Sequence, residues 1–286
     1  MNQTIAKDLH GDATGVFWIG SAYLVPCAAF QPIMASFSGI YGRSVMLAIA
    51  LSFFVLGSIV GCAARNMATI LAGRVIQGVG GGGLIPLSIM LLTDIVPLHK
   101  RAKFAAMIQL GIALGTILGP LVGGCFAEYT SQSGGWRWVF YINFPLSAIA
   151  GVMLCMCLQF KYVGAQLRSI DWFGQIIFVA GLSSLLIGLS WGGVQFSWSS
   201  YHTLVPLCLG VVGIVVTGLW EYFGATHPFL HLAVLKNRSL MAIYAATIVQ
   251  GITVRHSIRR NGHYLTNLHR CMGNCTTFHC IYRAPS

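Results

Sequence analysis

The sequence predicts an all-α membrane protein with about seven to eight transmembrane helices, and three observations carry that prediction. The chain is 56% hydrophobic and only 8% charged, well outside the composition of a soluble domain. Its apolar residues fall in runs of roughly 20, the length that crosses a bilayer as helix. Its Lys and Arg gather in short segments between alternate runs, a topology signal. The net charge of +11 would suit nucleic acid, yet no basic stripe with interleaved aromatics is present, so no nucleic-acid partner is expected.

Residues 1–15 are a polar segment without the basic stretch, apolar core and cleavage site of a signal peptide. The first span is 16–35, with Pro26 and Pro32 inside it, a kinking residue that membrane bundles tolerate. The turn-rich loop SFSGIYGRS (36–44) follows, then spans at 45–63 and 68–92. A basic loop with His99, Lys100, Arg101 and Lys103 leads to the fourth span, 104–126. Trp136, Arg137 and Trp138 read as interface anchors before a fifth span at 139–160. The polar stretch 161–171 precedes a sixth span at 172–191, and Trp198 and Tyr201 mark the interface before a seventh at 204–222. An eighth candidate, 240–254, is barely long enough.

Orientation follows from the cations between spans. The loops with Arg43, with Lys100, Arg101 and Lys103, with Lys161 and Arg168, and with Lys236 and Arg238 hold eight Lys and Arg. The intervening loops hold only Arg65 and Arg137, so the first set is expected in the cytoplasm. Six of the nine cysteines (Cys27, Cys62, Cys125, Cys155, Cys157 and Cys208) lie in or beside apolar runs and read as unpaired packing residues.

Two stretches stand out chemically. In the middle of ILAGRVIQGVGGGGLIPLSIMLL (70–92) sits Arg74, with Gln77 about one turn on and on the same face. A central arginine costs about 2.5–3.5 kcal/mol on insertion scales, so it must face protein or a water-filled cavity. The pair therefore lines a substrate cavity or serves as a structural arginine bonded to carbonyls. The glycines of GVGGGG (78–83) match a dinucleotide fingerprint in form, but inside an apolar helix they read as packing contacts. In MIQLGIALGTILGPLVGG (107–124), Gly111, Gly115 and Gly119 recur every four residues, followed by Pro120, Gly123 and Gly124. That spacing lays a groove of small residues along one face, where a neighbouring backbone can approach.

These residues also carry a family resemblance. RVIQGVG (74–80) resembles the fourth-helix motif of the major facilitator superfamily, and GIALGTILGPLVGG (111–124) resembles the fifth-helix motif of its antiporters. WRWVFYINFP (136–145) and DWFG (171–174) resemble stretches of the fourteen-span drug–proton antiporters, particularly fungal ones. The resemblance covers 4–253 and implies a major facilitator-type bundle, truncated: family helices 2–6 at 16–160, two linker-type helices at 161–235, and the start of a C-terminal bundle at 236–254. It implies export of small hydrophobic drugs, toxins or secondary metabolites in exchange for protons. Arg74 and Gln77 would stand on the substrate and proton pathway. Gly111, Gly115, Gly119, Pro120, Gly123 and Gly124 would form the interface between bundles. Gly42 and Arg43 match the cytoplasmic gate motif, but Ala35, Gly39 and Ser44 stand where it has glycine, aspartate and a basic residue. Arg43 is thus expected to lack its ion-pair partner within the motif.

The six acids (Asp8, Asp12, Asp94, Glu128, Asp171 and Glu221) all lie in loops or near helix ends, so the chain offers no mid-membrane proton carrier. Residues 255–286 break the pattern with five arginines, four histidines and three cysteines, and no sustained periodicity. Cys271, Cys275 and Cys280 match no standard zinc spacing, so no metal or cofactor is expected. The tail reads as disordered, as if translated out of frame. The resulting expectation is a multi-pass membrane transporter, not an enzyme, in the plasma membrane rather than the vacuole. The alternatives are a non-transporting fragment and a seven-helix receptor.

Overall fold

Apolar runs become helices in a bilayer because only internal pairing satisfies the backbone there. A computed structural model of the chain describes residues 13–129, 135–158, 171–193 and 195–223. These all fall in one compact unit, Met1–Phe229. The eighth candidate span, the tail and residues 1–12 lie outside the described residues. Seven of the described segments are long and apolar enough to cross a membrane. The helices are α1 (Ala13–Tyr41), α2 (Arg43–Cys62), α3 (Met67–Ile95), α4 (Leu98–Tyr129), α5 (Trp138–Tyr141), α6 (Asn143–Cys157), α7 (Trp172–Trp191) and α8 (Tyr201–Phe223). A 3₁₀ turn, Gly135–Arg137, runs into α5 and α6 to make a single span, Gly135–Cys157.

Local chemistry sets the boundaries. Gly42 joins α1 to α2 with φ of +92°, a left-handed conformation that a residue with a Cβ adopts at a cost. Asn66 caps α3, its side chain accepting from the Thr69 backbone N–H at 2.8 Å. Asp171 caps α7 in the same way, accepting from the Gly174 N–H at 3.0 Å. Between α3 and α4, Val96 is extended ahead of Pro97, as the proline ring requires. The segment with His99, Lys100, Arg101 and Lys103 is not a loop, as its charge suggests, but the opening turns of α4. Cations at a helix N-terminus oppose its dipole. Arg101 turns back instead, donating to the carbonyls of Thr93 at 2.7 Å and Val96 at 3.0 Å, where the end of α3 needs donors.

The packing centres on α3, whose glycines admit two neighbours at once. An added Cβ at Gly78 would lie 2.5 Å from the Tyr23 carbonyl of α1, and one at Gly82 would lie 2.5 Å from that of Cys27. On another side, Cβ atoms at Gly73 and Gly80 would lie 2.8 Å from the Gly61 nitrogen and 2.6 Å from the Ala50 carbonyl of α2. The pairings show α1 parallel and α2 antiparallel to α3. Small residues let the backbones approach until van der Waals contact holds them, the main attraction available in lipid. The same device joins α7 and α8: a Cβ at Gly213 would lie 2.8 Å from the Gly181 Cα. Aromatic contacts tie α7 to α1, Trp172 on Phe37 and Trp191 on Trp18.

Two apolar clusters lie at opposite ends of the triad. Ile19, Ala64, Ile70, Trp136 and Phe140 form one, and Met34, Met46, Ala50 and Leu87 the other. Trp136 is 1% exposed, so it is a core residue rather than an interface anchor. Arg137 lies over its ring and donates to the Ala64 carbonyl at 3.0 Å, drawing the tryptophan under the α2–α3 turn. Trp138, more than half exposed, stays at the surface.

Candidate functional site

Arg74 stands seven residues after Met67 in a 29-residue helix, so it lies two turns from one end of α3 rather than midway. At 1.5 Å per residue this is about 10 Å in, shallower than the apolar run suggests. Its guanidinium is held from several directions. Nε donates to the Ile19 carbonyl of α1 at 3.1 Å, Nη1 donates to Gln77 Oε1 at 2.9 Å, and the Tyr23 ring lies 5.0 Å below. Gln77 is 2% exposed and donates through Nε2 to Ser58 Oγ of α2 at 3.0 Å. Ser58 in turn donates to the Phe54 carbonyl at 2.9 Å. A polar chain thus crosses three helices, each amide and hydroxyl with a partner, as burial demands.

This chain opens onto a cavity of about 590 Å³. Arg74 and Gln77 line it from α3, Tyr23 from α1, and Gly115, Gly119 and Gly123 from α4, with Asn143 at the start of α6. The remaining lining is apolar, including Phe54, Leu118 and Leu146. The structure therefore brings the polar pair and part of the glycine motif to the same space. Gly111 and Gly124 do not line the cavity. Cβ atoms at Gly111, Gly115, Gly119 and Gly124 would meet nothing within 4 Å, so this face of α4 is open where that of α3 is filled. Pro120 lies within α4.

Gly42 and Arg43 lie at the other end of the triad. Arg43 Nη1 bonds Asp94 Oδ2 at 2.6 Å and donates to the Met90 carbonyl at 2.6 Å. The partner missing from the loop motif is thus supplied by the end of α3. Sequence reasoning missed that pairing because the two residues lie on different helices, far apart in the chain. It also missed Tyr23, Ser58 and Asn143, which carry no charge to mark them inside an apolar run. Among the described acids, Glu221 has a buried side chain, 6% exposed, two residues before the end of α8. Among the described residues that line the cavity, none is acidic. GVGGGG lies wholly inside α3, with no strand before it.

Comparison with known proteins shows the family. The chain is 41% identical over 253 residues to MFS transporter L2 of Phoma sp., covering 87% of this chain and 42% of that protein. It is 35% identical over 257 residues to the MFS-type transporter gkaD of Penicillium citrinum (87% and 43%). It is also 35% identical over 257 residues to the MFS-type efflux pump LUC4 of Fusarium sp. (87% and 44%). The chain thus spans less than half the length of these relatives. The family profile itself matches residues 1–249, which include every described helix, and with it the helical bundle and multi-pass membrane insertion are accounted for. The chain belongs to the Major Facilitator Superfamily.

Proposed function

We propose that this chain supplies the substrate-facing helices of an efflux transporter, moving small hydrophobic compounds out of the cytoplasm in exchange for protons. The observation that carries this reading is the cavity: apolar walls, a few convergent polar groups, and a volume within the ~300–1,000 Å³ of small-molecule sites. An intramembrane arginine in such a cavity is by default a functional residue. Relatives named as efflux pumps support the outward direction of transport. In this reading the open glycine face of α4 receives a second bundle, as in the fourteen-span antiporters. Alternating access is then a rocking of one bundle against the other around the cavity. The proton-carrying group lies outside the cavity's lining, and the plasma membrane is the membrane in which export is useful.

Export tests the proposal. With residues 13–223 put in place of the corresponding helices of the Phoma transporter, vesicles carrying the chimera should expel a hydrophobic fluorescent compound, and a protonophore should stop them. Arg74→Ala should abolish export while leaving membrane insertion intact. A correctly inserted chimera without proton-linked export refutes the reading, and normal export by Arg74→Ala removes Arg74 from the pathway.

The same proposal sets topology. The start of α4, with Lys100, Arg101 and Lys103, faces the cytoplasm, and the turn at 192–200 faces the other side. Single cysteines in a cysteine-free background should label from outside intact cells at Ser199 and not at Lys100. The opposite pattern would reverse the orientation and place the cavity in the cytoplasmic half.

A further inference from the structure

We infer that the cavity selects compounds bearing a carboxylate or another oxyanion over neutral or cationic compounds of the same apolar body, and that Arg74 is the selecting group. This rests on the reading of the cavity as a substrate site and narrows its substrate class. Among the described residues that line the cavity, only Arg74 is charged. The partners that hold its guanidinium are a backbone carbonyl, an amide oxygen and an aromatic face. Those neutral groups fix the guanidinium in place without cancelling its charge. Gln77, which also lines the cavity, is committed at both ends, accepting from Arg74 and donating to Ser58. Around this fixed cation the walls are mainly aliphatic and aromatic. In such surroundings a charge acts over a given distance several times more strongly than in water. An oxyanion at the guanidinium makes a charge-assisted hydrogen bond, the strong kind, and brings a counter-charge that none of the described lining residues supplies. A cation meets like-charge repulsion in the same low dielectric, and a neutral compound meets neither effect.

Three probes with one naphthalene body separate these cases: 2-naphthylacetate, its primary amide, and 2-(2-naphthyl)ethylammonium. Binding of each tritiated probe at pH 7 is measured on the full chain in lipid nanodiscs, with empty nanodiscs subtracted. The acetate should bind at least tenfold tighter than the amide, and the ammonium weakest. Arg74→Gln should bring the acetate within threefold of the amide, and Arg74→Lys should keep most of the preference. Size-exclusion profiles and far-ultraviolet circular dichroism check that each variant is folded. Gly115→Trp, with open space in front of its Cα, should fill the cavity and remove binding of both acetate and amide. Equal binding of the three probes, tightest binding of the cation, or an anion preference that survives Arg74→Gln overturns the inference alone. If no probe binds, or if Gly115→Trp leaves binding unchanged, the substrate-cavity reading falls and the inference with it.

Discussion

Replacing Gly57 or Gly80 with leucine is expected to destroy the packed triad. A Cβ at Gly57 would lie 2.6 Å from the Gln77 Cα and closer still to its backbone nitrogen. One at Gly80 would lie 2.6 Å from the Ala50 carbonyl and closer to the Phe54 nitrogen. The obstructing atoms are backbone, so relief requires helices α2 and α3 to separate. Overpacking a well-filled interior typically costs about 1–3 kcal/mol, and forcing helices apart along their contact lies at or beyond the upper end. The separation would also pull Ser58 away from Gln77 and open the polar chain. Fluorescence-detected size-exclusion of a tagged chain in mild detergent should show a loss of the monodisperse peak. Gly111→Leu is the matched control, since nothing lies within 4 Å of its added Cβ. Its melting temperature in detergent should stay within about 2–4 °C of the parent, the shift that roughly 1 kcal/mol produces in a chain of this size. A Gly111 variant as disrupted as the Gly57 and Gly80 variants would mean that the face of α4 is packed, not open.

Gln77→Leu should be the most damaging change in the cavity, and removing Arg74 as well should reverse most of the damage. Gln77 accepts from Arg74 Nη1 and donates to Ser58 Oγ, so leucine withdraws a partner from each. The hydrogen bond to a charged group carries about 1.5–3 kcal/mol, and the guanidinium cannot leave, because the Ile19 carbonyl and the Tyr23 ring hold it in place. In the double variant Arg74→Leu/Gln77→Leu the stranded donors are gone. Replacing both partners by apolar groups is close to neutral, and insertion of α3 no longer carries an arginine. The expected order of thermal stability in detergent is parent, then the double variant, then Gln77→Leu. Binding separates stability from function: the double variant should fold and show no anion preference. A double variant less stable than Gln77→Leu would show that Arg74 holds the helices together by itself.

The architecture was largely legible in the amino-acid order. A bilayer turns any apolar run of sufficient length into a helix, a property of the run that needs no knowledge of its neighbours. The existence of the seven spans and the place of Asp171 ahead of α7 could be read in this way, but the loop read at 36–44 shrinks to Gly42, with helix running up to Tyr41 and on from Arg43. Arg74 and Gln77 were legible because a costly polar group in an apolar run marks itself. Which faces meet was not. A soluble helix declares its inner face by amphipathicity, but in lipid the outside is as apolar as the inside, and that signal vanishes. So the glycines of α3 and α4 look alike in sequence, although those of α3 are packed against α1 and α2 while Gly111, Gly115, Gly119 and Gly124 of α4 face open space. Trp136 carries the composition of a surface anchor and is buried. Arg43 finds Asp94, and Tyr23 and Asn143 join Arg74 around one cavity, only because helices distant in sequence lie side by side. Length and hydropathy decide that a segment crosses the membrane; steric fit between backbones decides what it touches there.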